Sequence, residues 1–265
     1  MTYAFRITCT LAGGDIESKE REIPLALPAL TRPINVFLSE RENQTDILFL
    51  TLWCGGFSSE AEARAGGAPV KTALMLAGVR LGVGIDVGDD QVVSPAPQRK
   101  NGQPDERLQP VVHGLQVVPE IEGMLFVSLR LGRPGTPISP GDFEKTVAES
   151  YGLGKQPTKK QTLAAQLYNQ SHFLWSDAAR FITLISAVEV LAERNRKRES
   201  IGSACRALVR THCGEPAVKD FTRLYETRSE LLHDGEPASG ADLAAELREL
   251  DQLVRDLVVR HVAAT

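Results

Sequence analysis

Cysteine is scarce in this chain: Cys9, Cys54, Cys205 and Cys213 stand far apart, and no two form a C-x-x-C pair. That spacing excludes a dense disulfide framework and supplies no structural zinc motif, so no metal site is expected. Reduced, buried thiols are the expectation for a cytoplasmic protein. Long hydrophobic runs are lacking too. The longest, Ile47–Trp53 and Ala73–Val79, fall well short of the ~20 residues a membrane-spanning helix needs. The opening MTYAFRITCTLAGGDIESKE has neither the basic start nor the apolar core of a signal peptide. No membrane partner is expected. An excess of positive charge is also absent: 30 Lys and Arg face 34 Asp and Glu, for a net charge of −4. A coat for nucleic acid is therefore excluded, though a local basic patch is not.

What is present is ordinary globular material. The 265 residues are 42% hydrophobic and 24% charged, enough for two domains. The two halves differ in texture. Up to about Ile138 the apolar runs are short and broken by Gly and Pro. Tyr3–Leu11, Asn35–Leu38, Asp46–Trp53, Val83–Val87, Val111–Val118 and Met124–Leu131 read as strands. A helix from Ser59 to about Leu81 interrupts them, and Val92–Gln109 reads as an exposed loop. This half, residues 1–138, is expected to be an α+β domain.

From residue 139 onward the pattern is helical. Helices are expected from Pro140 to about Ser150, and over Thr158–Leu174, Ser176–Arg194, Ser200–His212, Glu215–His233 and Ser239–Ala263. Cap-forming Thr158, Ser176 and Ser239 open them, Pro216 suits a first turn, and Gly214 and Gly235 close them. In the last helix Leu243, Leu250 and Leu257 alternate with Leu247, Val254 and His261 at seven-residue spacing, which suits helix packing. Residues 139–265 are therefore expected to form an all-α antiparallel helical bundle following the mixed strand and helix domain.

Several motif-like strings fail on spacing. Gly82, Gly84 and Gly88 follow a helix rather than a strand, which is wrong for a dinucleotide loop. Gly152-Leu153-Gly154-Lys155 lacks the Ser or Thr of a P-loop. Asp86, Asp89 and Asp90 do not fit a calcium loop. Neither G-x-S-x-G nor H-E-x-x-H occurs. No cofactor is expected. The one dense basic run, Arg194, Arg196, Lys197 and Arg198, reads either as a solvated helix end or as a phosphate-binding patch.

Two charges sit on faces meant for apolar residues. Around Glu215–His233, Val218, Phe221, Leu224, Tyr225, Leu231 and Leu232 share one face, and Arg228 falls near its middle. On Ser176–Arg194, Glu189 lies within the arc of Phe181, Leu184, Ile185, Val188 and Leu191. Opposite charges so placed predict a pairing inside the bundle, because charges are rarely buried alone. Such a pair either fixes helix register or serves a site. Five residues after Arg228 comes His233, at the helix end where the dipole favours imidazolium. Arg can hold a phosphate bidentately and His can move a proton near neutral pH. Cleavage of RNA by its own 2′-hydroxyl needs those services and no metal.

The stretch Leu224-Tyr225-Glu226-Thr227-Arg228-Ser229-Glu230-Leu231-Leu232-His233-Asp234-Gly235 resembles the signature helix of HEPN domains, Apea-like branch, as does Asp177–Leu191 upstream. The resemblance spans roughly residues 140–265. It implies a helical bundle that often dimerises, with Arg, four to six intervening residues and then His in active members. Those act as metal-independent endoribonucleases, many of them toxins or antiviral effectors. Under that implication RNA is the partner, the chain is a homodimer through its helical half, Arg228 grips the scissile phosphate and His233 performs acid–base chemistry. Ser229 occupies a usually polar position, with Glu189 and Tyr225 in support. The alternative is a non-catalytic HEPN-fold module for interaction or nucleotide binding. Arg107 with His113, Arg206 with His212, and Arg255 with His261 share the spacing but lie outside the wider pattern. Gly55–Arg64 and Leu74–Val79 look vaguely like domains that precede Apea-like bundles, with no chemistry attached.

Overall fold

The computed structural model describes all residues except 1, 18–21, 28–29, 31, 33, 39–45, 95–110, 121–130, 133–135, 154–155, 194–198, 238–241 and 265. The chain is mixed α+β. It divides into two compact units: residues 1–77 with 85–154, and residues 78–84 with 155–265.

In the first unit, β1 (Tyr3–Ala12), β3 (Glu22–Leu25), β4 (Ile34–Leu38), β5 (Asp46–Phe57), β7 (Gln91–Ser94) and β8 (Val111–Pro119) make a sheet in the order β3-β4-β5-β1-β8-β7. Two short strands, β6 (Gly84–Asp86) and β9 (Leu131–Gly132), join it beside β1 and β5. The registered pairs β1/β5, β1/β8, β3/β4, β4/β5, β5/β9 and β7/β8 are antiparallel. A separate parallel pair joins β2 (Gly14–Ile16) to β10 (Thr136–Ile138). Strand β1 is central, so it reads as a nearly continuous buried run: Phe5, Ile7, Cys9 and Leu11 on one face, with Ala4, Arg6 and Thr8 buried on the other.

Helix α1 (Glu60–Leu81) contains Gly66, Gly67 and Pro69 without ending there. The two glycines weaken the helix by propensity but permit close approach to the sheet. A Cβ at Gly67 would lie 2.5 Å from Leu115 Cδ1 and 3.0 Å from Phe5 Cγ. Helix α2 (Pro140–Tyr151), capped by the Ser139 side chain, also lies in this unit. Glu144 Oε1 accepts from the Ala26 N–H, and Phe143 and Val147 are buried. The division expected at 138/139 thus runs in front of α2, whereas this unit extends through it.

The strands not expected from the sequence are short or peripheral. Strand β3 holds Pro24 and lies at the sheet edge, where a missing N–H is tolerated. Strand β7 occupies the start of the expected loop at the other edge, with Val92 60% exposed. Strand β3 alternates, with Ile23 and Leu25 buried and Glu22 and Pro24 exposed, but over only four residues and across a proline, and β7 begins with exposed Gln91 and Val92. The rest of that loop, and the expected strand 124–131 apart from Leu131, lie outside the described residues.

The second unit contains α3 (Lys159–Ser171), α4 (Asp177–Leu191), α5 (Ile201–Cys213), α6 (Glu215–His233) and α7 (Leu243–Ala264). The caps follow the sequence: Thr158 with Gln161 forms a capping box, and the Ser176 and Ser200 side chains cap α4 and α5. The expected start at Ser239 lies outside the described residues; α7 runs from Leu243, with Asp242 accepting from the Ala245 N–H at 3.1 Å. Helix α4 packs against each of the other four. Its Phe181, Leu184, Ile185 and Val188 are fully buried, as are Phe221 and Leu224 of α6 and Leu250, Val254 and Leu257 of α7. Burying each such side chain stabilises the unit by roughly 1.5–3 kcal/mol before entropy is charged. Among the described residues no helix is long and apolar enough to cross a membrane.

Gly114 in β8 has φ +123°, and a Cβ there would meet Asp90 Oδ1 at 2.2 Å and Asp90 N at 2.7 Å. The same Asp90 oxygen accepts from the Leu115 N–H and from Lys71 Nζ, pinning α1 to the sheet edge. Gly114→Ala is expected to cost roughly 2–4 kcal/mol, from backbone strain plus overpacking. Thermal melting checks this; an unchanged midpoint would show that the β8 bend relaxes freely.

Candidate active site

Helix α6 carries the motif. Its buried residues are Val218, Phe221, Leu224, Thr227 and Leu231, so the core stripe passes through Thr227 rather than Arg228. Arg228, expected mid-face, sits one residue round on the flank with its side chain 26% exposed, while Leu232, expected on the buried face, is 48% exposed. The reason is polar satisfaction. Thr227 Oγ1 donates to Glu246 Oε2 at 2.7 Å and can therefore be buried. Glu246 is held in turn by Arg223, which also pairs with Glu249. A guanidinium needs more solvation than a hydroxyl and stays at the rim.

The pairing expected between Arg228 and Glu189 forms. Arg228 Nη2 lies 3.4 Å from Glu189 Oε1, and Tyr225 OH donates to the same oxygen at 2.7 Å. The Arg228 Cζ stands 5.6 Å from the Tyr225 ring centroid. One α4 carboxylate thus gathers a phenol and a guanidinium from adjacent turns of α6. Arg228 Nε is buried with no hydrogen-bond acceptor among the described residues. An unmet donor on a cation is costly, so this group is under-satisfied as it stands. Burial, the Glu189 hydrogen bond and the Glu189 charge push the Tyr225 phenol up to about 12, with Arg228 pulling the other way.

The other sequence-singled residues fall elsewhere. Ser229 Oγ bonds back to the Tyr225 carbonyl at 3.3 Å, within its own helix. His233 is exposed and ends α6, where Asp234 N–H donates to Glu230 O and Gly235 takes φ +79°. Helix α6 is continuous through His233, so Arg228 and His233 diverge by about 140° and are spaced by about 7.5 Å along the axis. The structure therefore brings Glu189, Tyr225 and Arg228 together and leaves His233 apart. Arg194, Arg196, Lys197 and Arg198 lie outside the described residues.

Cys205, expected as a buried thiol, is buried, and its place near Glu189 and Arg228 had no signal in the sequence. Burial first, then the Glu189 charge, pushes its thiol up to about 12, which removes it as a nucleophile. Sequence reasoning passed over the Thr227–Glu246–Arg223 network; the signal was there in Glu246 and Glu249, spaced to meet one arginine from a neighbouring helix. Among the described residues no three His, Cys, Asp or Glu side chains converge as a metal set. Compared with known proteins, the chain matches no family model, no curated protein and no solved structure.

Replacing Glu189 by Gln removes the charge and weakens the acceptor, so the Tyr225 midpoint should fall from about 12 towards the ordinary 10. A phenol held above its unfolded value adds stability below pH 10 that is lost as pH rises through 12. That alkaline loss should shrink in the variant. Tyrosine ring NMR against pH reads the midpoint directly; no change in Glu189→Gln would mean that burial alone sets it.

Proposed function

We propose that the protein is a metal-independent endoribonuclease of the HEPN type, active as a homodimer through its helical unit. The observation that carries this reading is Arg228. It is a half-exposed guanidinium with an unsatisfied Nε on a helix that terminates, five residues later, in an exposed histidine. The sequence resemblance over residues 140–265 supports it and suggests a toxin or antiviral role.

The chemistry follows from the residue types. RNA supplies its own nucleophile. A base takes the proton of the 2′-hydroxyl, whose oxygen attacks phosphorus; the P–O5′ bond breaks, and an acid protonates the departing 5′-oxygen. The products are a 2′,3′-cyclic phosphate and a 5′-hydroxyl. Arg228 neutralises charge on the non-bridging oxygens. Two proton carriers are needed, and one chain offers a single His233 aimed away from Arg228. A two-fold axis near the end of α6 supplies both histidines without further sequence.

A second reading has its own observation. Glu189 already occupies Arg228, and in one chain His233 does not converge on it. That arrangement suits a register-fixing pair in a non-catalytic interaction or nucleotide-binding module.

Purified protein incubated with mixed RNA in chelator should leave 2′,3′-cyclic ends, and light scattering should give a dimer. His233→Ala should abolish cleavage with melting unchanged, because the side chain is exposed. Arg228→Ala should abolish cleavage and cost about 1–2 kcal/mol, a half-exposed pair being worth less than a buried one. Absence of cleavage by the wild type, with or without divalent ions, would support the second reading.

A further inference from the structure

The first turn of α3 and the last turn of α7 meet through one amide. Gln161 is 1% exposed. Its Oε1 accepts from the Thr158 N–H at 2.8 Å, and Thr158 Oγ1 accepts from the Gln161 N–H at 3.3 Å. That capping box fixes which end of the amide is oxygen. Nε2 must then be the donor end, and it lies 3.1 Å from His261 Nδ1 and donates to the His261 carbonyl at 3.1 Å. A ring nitrogen facing a donor must present its lone pair. His261 is therefore held neutral, with its proton on Nε2.

We propose that Gln161 and His261 form an acid-released latch between α3 and α7. A proton added at Nδ1 sets one N–H against another, so the Gln161 contact must break for the imidazolium to form. The surrounding charges bear on the same step. His212 of α5 packs its ring 5.0 Å from that of His261, and the Lys160 ammonium of α3 also disfavours a charge there. Glu193, just past α4, acts in the opposite sense. From α6, Arg223 engages Glu246 and Glu249 at the far end of α7. Burial first, then His212, lowers the His261 pKa from the ordinary 6.5.

The sign is fixed by that lowering. The unfolded chain takes up the proton first as pH falls, so the latch contributes fully above pH 6.5 and is lost as pH drops through the folded midpoint. Arg260 Nη1 donates to the His212 carbonyl at 3.0 Å, so the end of α5 is tied to the same turn of α7. Release at Gln161 therefore leaves the Arg260 attachment in place at that end. His212 and His261, each six residues after an arginine where His233 is five after Arg228, are accounted for by this contact, independently of nuclease activity.

The test is imidazole ¹⁵N NMR on the full chain against pH. In the wild type His261 should show the Nε2–H tautomer at pH 8 and a midpoint below 6.5. Gln161→Glu keeps an N3 residue suited to the capping box but turns the donor into an acceptor. His261 should then titrate above 6.5, at least about one pH unit higher than in the wild type. An Nδ1–H tautomer in the wild type overturns the proposal, whether or not the variant folds. Equal midpoints in the two proteins overturn it as well.

Discussion

The carboxylate of Glu189 sets the terms for helix α6. A guanidinium cannot enter a core without an acceptor, and Glu189, projecting from the helix that touches all four others, provides one at the rim. The phenol of Tyr225 shares that oxygen. Together they fix the roll of α6 so that Thr227 faces inward and Arg228 stands on the flank. Removing the carboxylate would leave Arg228 with neither its ion-pair partner nor a reason for its half-buried position. The cluster is a packing device, and under the proposed function its guanidinium is the group that meets a phosphate.

Much of the helical unit was legible because its signals are local. Thr158, Ser176 and Ser200 cap where capping chemistry says they should, and the three-to-four spacing of Phe181, Leu184, Ile185 and Val188 marks the buried side of α4. The opposite charges of Glu189 and Arg228 pointed to each other because both broke an apolar pattern. The same reasoning misjudged the degree of burial. A helical wheel counts apolar residues and cannot weigh Thr227, whose burial depends on Glu246 from a helix 19 residues further on. The sheet was harder to read. Strand β3 alternates over only four residues around a proline and β7 is an exposed edge, so both depend on pairing with their neighbours, and α2 joins the sheet unit through a long-range contact from Glu144 to Ala26.

Geometry along α6 has a consequence for function. A helix that runs unbroken to His233 holds its arginine and histidine on sides about 140° apart, and Glu189 retains the arginine on its own side. That divergence is why the proposed phosphodiester chemistry invokes a second copy, with paired histidines as base and acid. Under the proposed function, the under-satisfied Arg228 Nε gains an acceptor when a phosphate arrives.

The most direct measurement of that claim is a subunit-mixing curve. Wild type and His233→Ala are combined in varying ratio, allowed to exchange, and assayed on one RNA. If each site needs a histidine from both chains, activity follows the square of the wild-type fraction, about one quarter at equal mixing. Activity falling in direct proportion, to about one half at equal mixing, would contradict the shared site.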